Sequence, residues 1–289
     1  VGVTALSRAD IVGVSAGVGA TKGKFSGMGS ASVNLIGQRT QAQVTGGSVT
    51  AAGLALQSDT KGNSFALAGN LSFAVGSGNG SAAGAAVAVT QTGTRTYTSG
   101  SSTLGTRAAG NTSSIDSATV NVGTGTVQVQ ANNTSHTRSI AASGAASDGN
   151  VGFAGTVTAT ELGDDTSAII DNSLVTAGTV TVRAGEAAAG RTASIQSLAG
   201  GLSASKGYSG ALAVGVNTIN TVRTAQVTGS NLIVSNAVTV QANAEGSIKT
   251  ISATLAGGKD YAAAGSFSVN TLNADISALY DGGGNSLRG

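Results

Sequence analysis

An all-β, elongated repeat fold is predicted by three features of this sequence. A short apolar run returns at a period of about 55 residues, apolar residues alternate with period two, and the composition is dominated by small side chains. The run reads LALQS at 54–58, VQVQA at 127–131, VTVRA at 180–184 and VTVQA at 238–242. It steps 53 residues from Val127 to Val180 and 58 from Val180 to Val238. Repetition on this scale marks stacked architectures, in which each unit buries its apolar face only against its neighbours. The expected form is a β-solenoid or a three-sided β-prism stack. A unit this long supplies either two coils or one prism layer with some antiparallel strands, and the prism is the preferred reading.

The elements follow in order from the unit at 168–227. Alternation gives an opening strand AIIDNSLVTAG (168–178), then TVTVRA (179–184), TASIQSLAGGLSAS (192–205) and the long strand ALAVGVNTINTVRTAQV (211–227). Gly, Asn and Ser occupy the corners between them. The long-strand signature recurs at 29–38, 84–93, 152–161, 210–219 and 265–274, which divides one continuous array into units of roughly 1–41, 42–112, 113–166, 167–224 and 225–289. Leu54 to Val127 spans 73 residues, and the excess maps to 94–114. Insertions in repeat proteins emerge on one face and often carry function, so Arg95, Tyr97, Leu104 and Arg107 form a candidate contact loop.

Side-chain phase is legible in the short strand. Leu54/Leu56, Val127/Val129, Val180/Val182 and Val238/Val240 point inward, and Gln57, Gln130, Arg183 and Gln241 stack outward as a ladder. A basic column is expected at Arg138, Arg191 and Lys249, interrupted by Phe65. Because Arg138 shares a face with Ile140, and Lys249 with Ile251, this column is placed at a corner or a slip of phase. Arg39, Arg95, Asp164, Arg223 and Asp275 follow the long-strand signature, and the spacing predicts pairing of Asp164 with Arg223 and of Arg223 with Asp275.

Composition excludes several classes. The chain of 289 residues holds 45 Gly, no Pro, Cys or Trp, 3% aromatic and 10% charged residues. A core made from it must be thin and regular. Low charge with alternating apolar residues argues against disorder. The net charge of +2 comes from 15 basic and 13 acidic residues with no basic run, so no nucleic-acid partner is expected. Chemistry is sparse: the single His136 lies in a polar turn and cannot build a metal cluster alone. Glu161, Asp164 and Asp165 are the one carboxylate group dense enough to consider for Ca²⁺. No catalytic residue and no cofactor is expected. A polysaccharide-acting β-helical enzyme needs clustered acids and aromatic platforms. An ice-binding solenoid needs Thr columns, whereas the outward column reads Ala55, Gln128, Thr181 and Thr239.

The pattern VTVxA…GxxxxG…GAxAVxVNxIxxxxxAxV, as at 180–227, resembles the repeats of giant bacterial surface proteins. These are the filamentous-haemagglutinin-like and autotransporter-type adhesins, including the "beta strand repeat" and leukotoxin-like families. The resemblance implies export to the bacterial cell surface, an extracellular stalk or filament, and adhesion to an unidentified receptor or glycan, to other cells or to a matrix. An S-layer or matrix scaffold is the alternative role. Val1 is not an initiator Met and Gly289 falls inside a repeat. The chain therefore reads as an internal piece of a longer protein, continued or self-associated end to end, with outer-membrane anchoring elsewhere.

Overall fold

The computed structural model describes residues 1–75, 80–93, 95–99, 102–107, 110–185 and 193–281, with the backbone alone for 95–99 and 102–107. The described residues form strands and no helix. In chain order these are β1 (Gly2–Thr21), β2 (Phe25–Ile36), β3 (Arg39–Thr45), β4 (Ser48–Thr50), β5 (Leu54–Ala74), β6 (Ser81–Thr92), β7 (Arg95–Ser99), β8 (Ser102–Arg107) and β9 (Gly110–Asp116). They continue with β10 (Thr119–Asn121), β11 (Thr126–Ser147), β12 (Val151–Asp171), β13 (Leu174–Ala184), β14 (Ala193–Ser205), β15 (Tyr208–Thr228), β16 (Asn231–Ala242), β17 (Gly246–Gly258) and β18 (Tyr261–Asp281).

Two large parallel sheets face each other. The first runs β1–β5–β11, then β13 with β14, then β16 with β17; the second runs β2–β6–β12–β15–β18, with β3 and β9 in line beside β12. The chain passes from the first sheet to the second, then through a short third side made by β4, β10 and the first residues of β13 and β16, before it returns. Strands adjacent in a sheet are thus separated by a long crossover, as parallel pairing requires, and each returns in the same direction as the one before it. The antiparallel strands expected of a prism layer are absent from both large sheets; among the described residues, β7–β8 is the one antiparallel pair.

The corner into the third side has a repeated backbone device. Gly46, Ser117, Asn172 and Gly229 occupy it with φ of 65°, 52°, 46° and 56°. This left-handed region suits Gly and tolerates Asn. Asn172 donates to the Asp171 carboxylate and Ser117 to that of Asp116. The expected opening strand at 168–178 is therefore divided. Ile169 and Ile170 end β12, the chain bends at Asn172, and Leu174 begins β13.

The core has two parts. Where three sides meet, Leu54, Leu56, Val127, Val129, Val180 and Val182 pack against Ile115, Ile170, Val227, Val120, Val175 and Leu232. Full burial of such side chains contributes about 1.5–3 kcal/mol each. Val238 and Val240, on the outermost winding, are only half buried. Farther along, the two sheets close onto small residues: Ala66, Ala68 and Ala141 meet Ala86 and Ala88. Hydroxyls bridge the gap at Ser139–Thr160 (2.7 Å), Ser139–Thr90 (2.9 Å) and Thr158–Ser197 (2.6 Å). A Cβ on Gly84 of the second sheet would lie 2.8 Å from the Gly144 carbonyl of the first, so a side chain there would push the sheets apart.

The insertion leaves the second sheet in the middle of a strand. Thr92 pairs Leu162 and Asn111 pairs Thr166, so 19 positions on one strand stand against 4 on its neighbour, an excess of 15. The chain departs at Gly93, whose φ of 116° and close approach to Gly163 exclude a side chain. The last part of the expected insertion, 110–114, instead belongs to β9 and pairs with β3 and β12.

Candidate functional site

The three carboxylates singled out in the sequence are separated by strand alternation. Glu161 and Asp165 project from the outer face of β12, while Asp164 is buried between the sheets. Glu161 accepts from Gln91 Nε2 at 3.4 Å. Among the described residues no group of His, Cys, Asp or Glu is gathered as a metal would require.

Asp164 takes part in a buried polar cluster that joins both sheets. Its Oδ1 accepts from Asn133 Nδ2 on β11 at 2.6 Å, from Thr166 Oγ1 at 3.0 Å and from Arg223 Nη1 on β15 at 2.6 Å, while Arg223 Nη2 donates to Oδ2. Burial pushes the Asp164 carboxyl above its ordinary range, against the opposing pull of the Arg223 guanidinium and the three donors. The pairing of Asp164 with Arg223 is as expected, but it is internal rather than solvated. Asp275 does not join it. Asp275 pairs in register with Val222 on the outer face, and Arg223 pairs with Ile276. Adjacent strand positions point to opposite faces, which separates the two side chains.

The outer face of the first sheet carries the richest polar grouping. Registered across β1, β5, β11 and β14 lie Asp10, Asn63, His136 and Ser194, and beside them Val12, Phe65, Arg138 and Gln196. They line an open groove of about 620 Å³. Asn63 donates to Asp10 Oδ1 at 2.7 Å, and His136 Nδ1 lies 2.7 Å from Ser194 Oγ. Arg138 donates to Gln196 Oε1 through Nε at 3.0 Å and Nη2 at 2.6 Å. Asp10 and His136 are two strand spacings apart, about 10 Å, too far for a carboxylate to orient an imidazole. The groove offers an aromatic ring, a cation and several amide and hydroxyl groups in a row. Such a surface makes contacts; its one hydroxyl–imidazole pair, Ser194 with His136, has no carboxylate beside the imidazole within the groove.

The expected basic column is corrected here. Arg138 pairs Gln196, and Gln196 pairs Lys249, so Gln196 stands where Arg191 was placed; Arg191 lies outside the described residues. The register explains the miscount: Ala131 pairs Ala184 at a step of 53 but His136 pairs Ser194 at 58, so five extra residues enter between them. No corner or phase slip is present at Arg138. Arg138 and Ile140 both face outward, as do Lys249 and Ile251.

The Gln57, Gln130, Arg183 and Gln241 column is in register as expected. Its hydrogen bonds run both ways: Arg183 Nε reaches Gln241 Oε1 on the next strand at 3.2 Å, whereas Gln130 Oε1 accepts from Gln128 of its own strand at 2.8 Å. In the candidate contact loop, Arg95 pairs Arg107 and Tyr97 pairs Gly105 along the β7–β8 ladder. Leu104 lies on β8. The side chains of these residues lie outside the described residues.

The chain matches no protein-family model, no curated protein and no solved structure.

Proposed function

We propose that this chain is a structural and adhesive segment of a bacterial cell-surface filament or stalk, built as a β-solenoid with one coil per repeat of about 55 residues. One observation supports this above the others: strands stack in parallel through both sheets, with no bulge in β12–β15–β18 and a single register shift in β13–β16, and among the described residues the outermost strands keep one unpaired edge. Among the described residues β1 pairs only β5, and β18 pairs only β15. Unpaired strand edges are templates for another strand, so continuation or end-to-end association fits such a stack. The β7–β8 hairpin and the Phe65–Arg138 groove are the surfaces this reading assigns to a receptor or glycan. A matrix or S-layer scaffold is the second reading, favoured by the apolar outer faces described below.

Electron microscopy and fibre diffraction of material from cell surfaces test it. Thin fibres with an axial spacing of about 4.8 Å per coil are expected. Compact particles without that spacing would remove the filament reading.

A further inference from the structure

The outer faces of the thin half of the molecule have an inverted chemistry. On the first sheet, Val14, Leu67, Ile140, Leu198 and Ile251 stand in register as one ridge across five strands. Four residues farther along, Val18, Leu71, Leu202 and Leu255 form a second ridge; Leu71 leans over Gly144, which holds the remaining place. Between the ridges run Ala16, Gly69, Ala142, Gly200 and Ala253, and the first three of these line an open groove of about 340 Å³. None of these positions carries a polar side chain. The ridges are well exposed: Val14 63%, Leu198 40%, Leu202 54%, Ile251 64% and Leu255 66%. Beneath them the strands bury Ser, Thr and Ala instead.

We infer that this face of the first sheet is the contact between two copies of the chain, laid face to face. The relief is self-complementary: each aliphatic ridge of one copy seats in the small-residue groove of the other, as in the dry interdigitated interfaces of stacked sheets. Five strands at about 4.8 Å and about eight residues at 3.3 Å give a flat footprint of roughly 500–600 Å² per copy, before side-chain relief is counted. Two such faces bury about 1,000–1,200 Å² in all, which clears the size a specific interface needs at the small end of the range, and each face is as large as the largest apolar patch of a typical monomer, a patch that is often functional. A lipid surface is the competing occupant, and the vesicle arm of the test below separates it from a second copy. This lateral contact is distinct from end-to-end joining and uses none of its edges.

Sedimentation of the whole chain at micromolar concentration tests the proposal, with the L198K/L202K double variant beside it. The unmodified chain is expected at the dimer mass or above. The variant is expected to lose the lateral partner while keeping its far-UV circular dichroism. Association that persists unchanged in the variant, as end-to-end joining would, overturns the inference. So does a monomeric unmodified chain, or one that is monomeric in solution and floats with phosphatidylcholine vesicles. Because the chain has no Cys, Ala142→Cys on the groove floor supplies a second reading that does not depend on a charge being tolerated. Oxidation should give a mixed covalent dimer when Ala142→Cys and Leu198→Cys chains are combined, a floor position meeting a ridge position, and none when Thr239→Cys on the outward polar column replaces either. The reverse result refutes the contact.

Discussion

Asp164 and Arg223 are the residues with most at stake, because they are a charged pair sealed between two sheets of small side chains. Breaking a buried pair by removing one partner leaves an uncompensated charge and costs about 3–5 kcal/mol. Arg223→Leu should be destabilised by that order at neutral pH, read from the midpoint of urea unfolding. The loss should depend on pH. Without the guanidinium, burial is opposed only by the Asn133 and Thr166 hydrogen bonds and raises the Asp164 folded pKa further above the unfolded value of about 3.9. A raised folded pKa leaves stability intact below the unfolded pKa and removes it as pH rises through the folded one. The variant should therefore approach the parent in stability near pH 3 and fall away toward pH 7, and a pH-independent difference would count against this account. The spacing in the sequence made this pair legible. Its burial was not, because the step from outward Glu161 to inward Asp164 depends on a phase set elsewhere along β12.

At the scale of elements, the hairpin β7–β8 is separable and β9 is not. Gly93 and Gly110 flank the excursion, and β9 places Ser113 and Ile115 in the buried interior. Removing 94–109 should leave the fold intact, with a circular dichroism spectrum and melting temperature close to the parent. Removing 94–114 deletes buried Asn111 and Ser113, whose side chains bond the Ser58, Asn132 and Gln130 carbonyls, and should lower stability by several kcal/mol, since each buried polar group left without its partner costs about 1–3 kcal/mol. Equal stability of the two deletions would refute the boundary. The insertion was visible in the sequence as a stretched interval, but its end was not. Alternation continues smoothly from the hairpin into β9, and only pairing with β3 and β12 divides them.

For the molecule as a whole, each winding packs on its neighbours among the described residues, so stability is expected to be close to a sum of unit and interface terms. Truncation after Ser230, which removes β16–β18, should leave β1–β15 folded. Guanidinium unfolding would then shift modestly to lower denaturant, with a smaller m-value in proportion to the surface lost. Collapse of the remainder to an unfolded spectrum would mean that the array behaves as one closed cooperative domain. The terminal windings are already the least covered. Val238 and Val240 are half buried where Val127 and Val180 are fully enclosed.

Strand content and the inward column from Leu54 to Val182 were determined by the sequence alone, because two-residue alternation survives any tertiary arrangement. The facing of the thin half was decided only by the structure. There one side of each strand is aliphatic and the other is Ser, Thr, Ala and Gly, so alternation shows that the faces differ without showing which is inside. β5 and β11 run unbroken from the three-sided core into the thin half, and a strand cannot exchange its faces without a bulge. Leu54 and Leu56 point inward, so Ala66 and Ala68 must follow them in, while Phe65, Leu67 and Ile140 are carried to the outside.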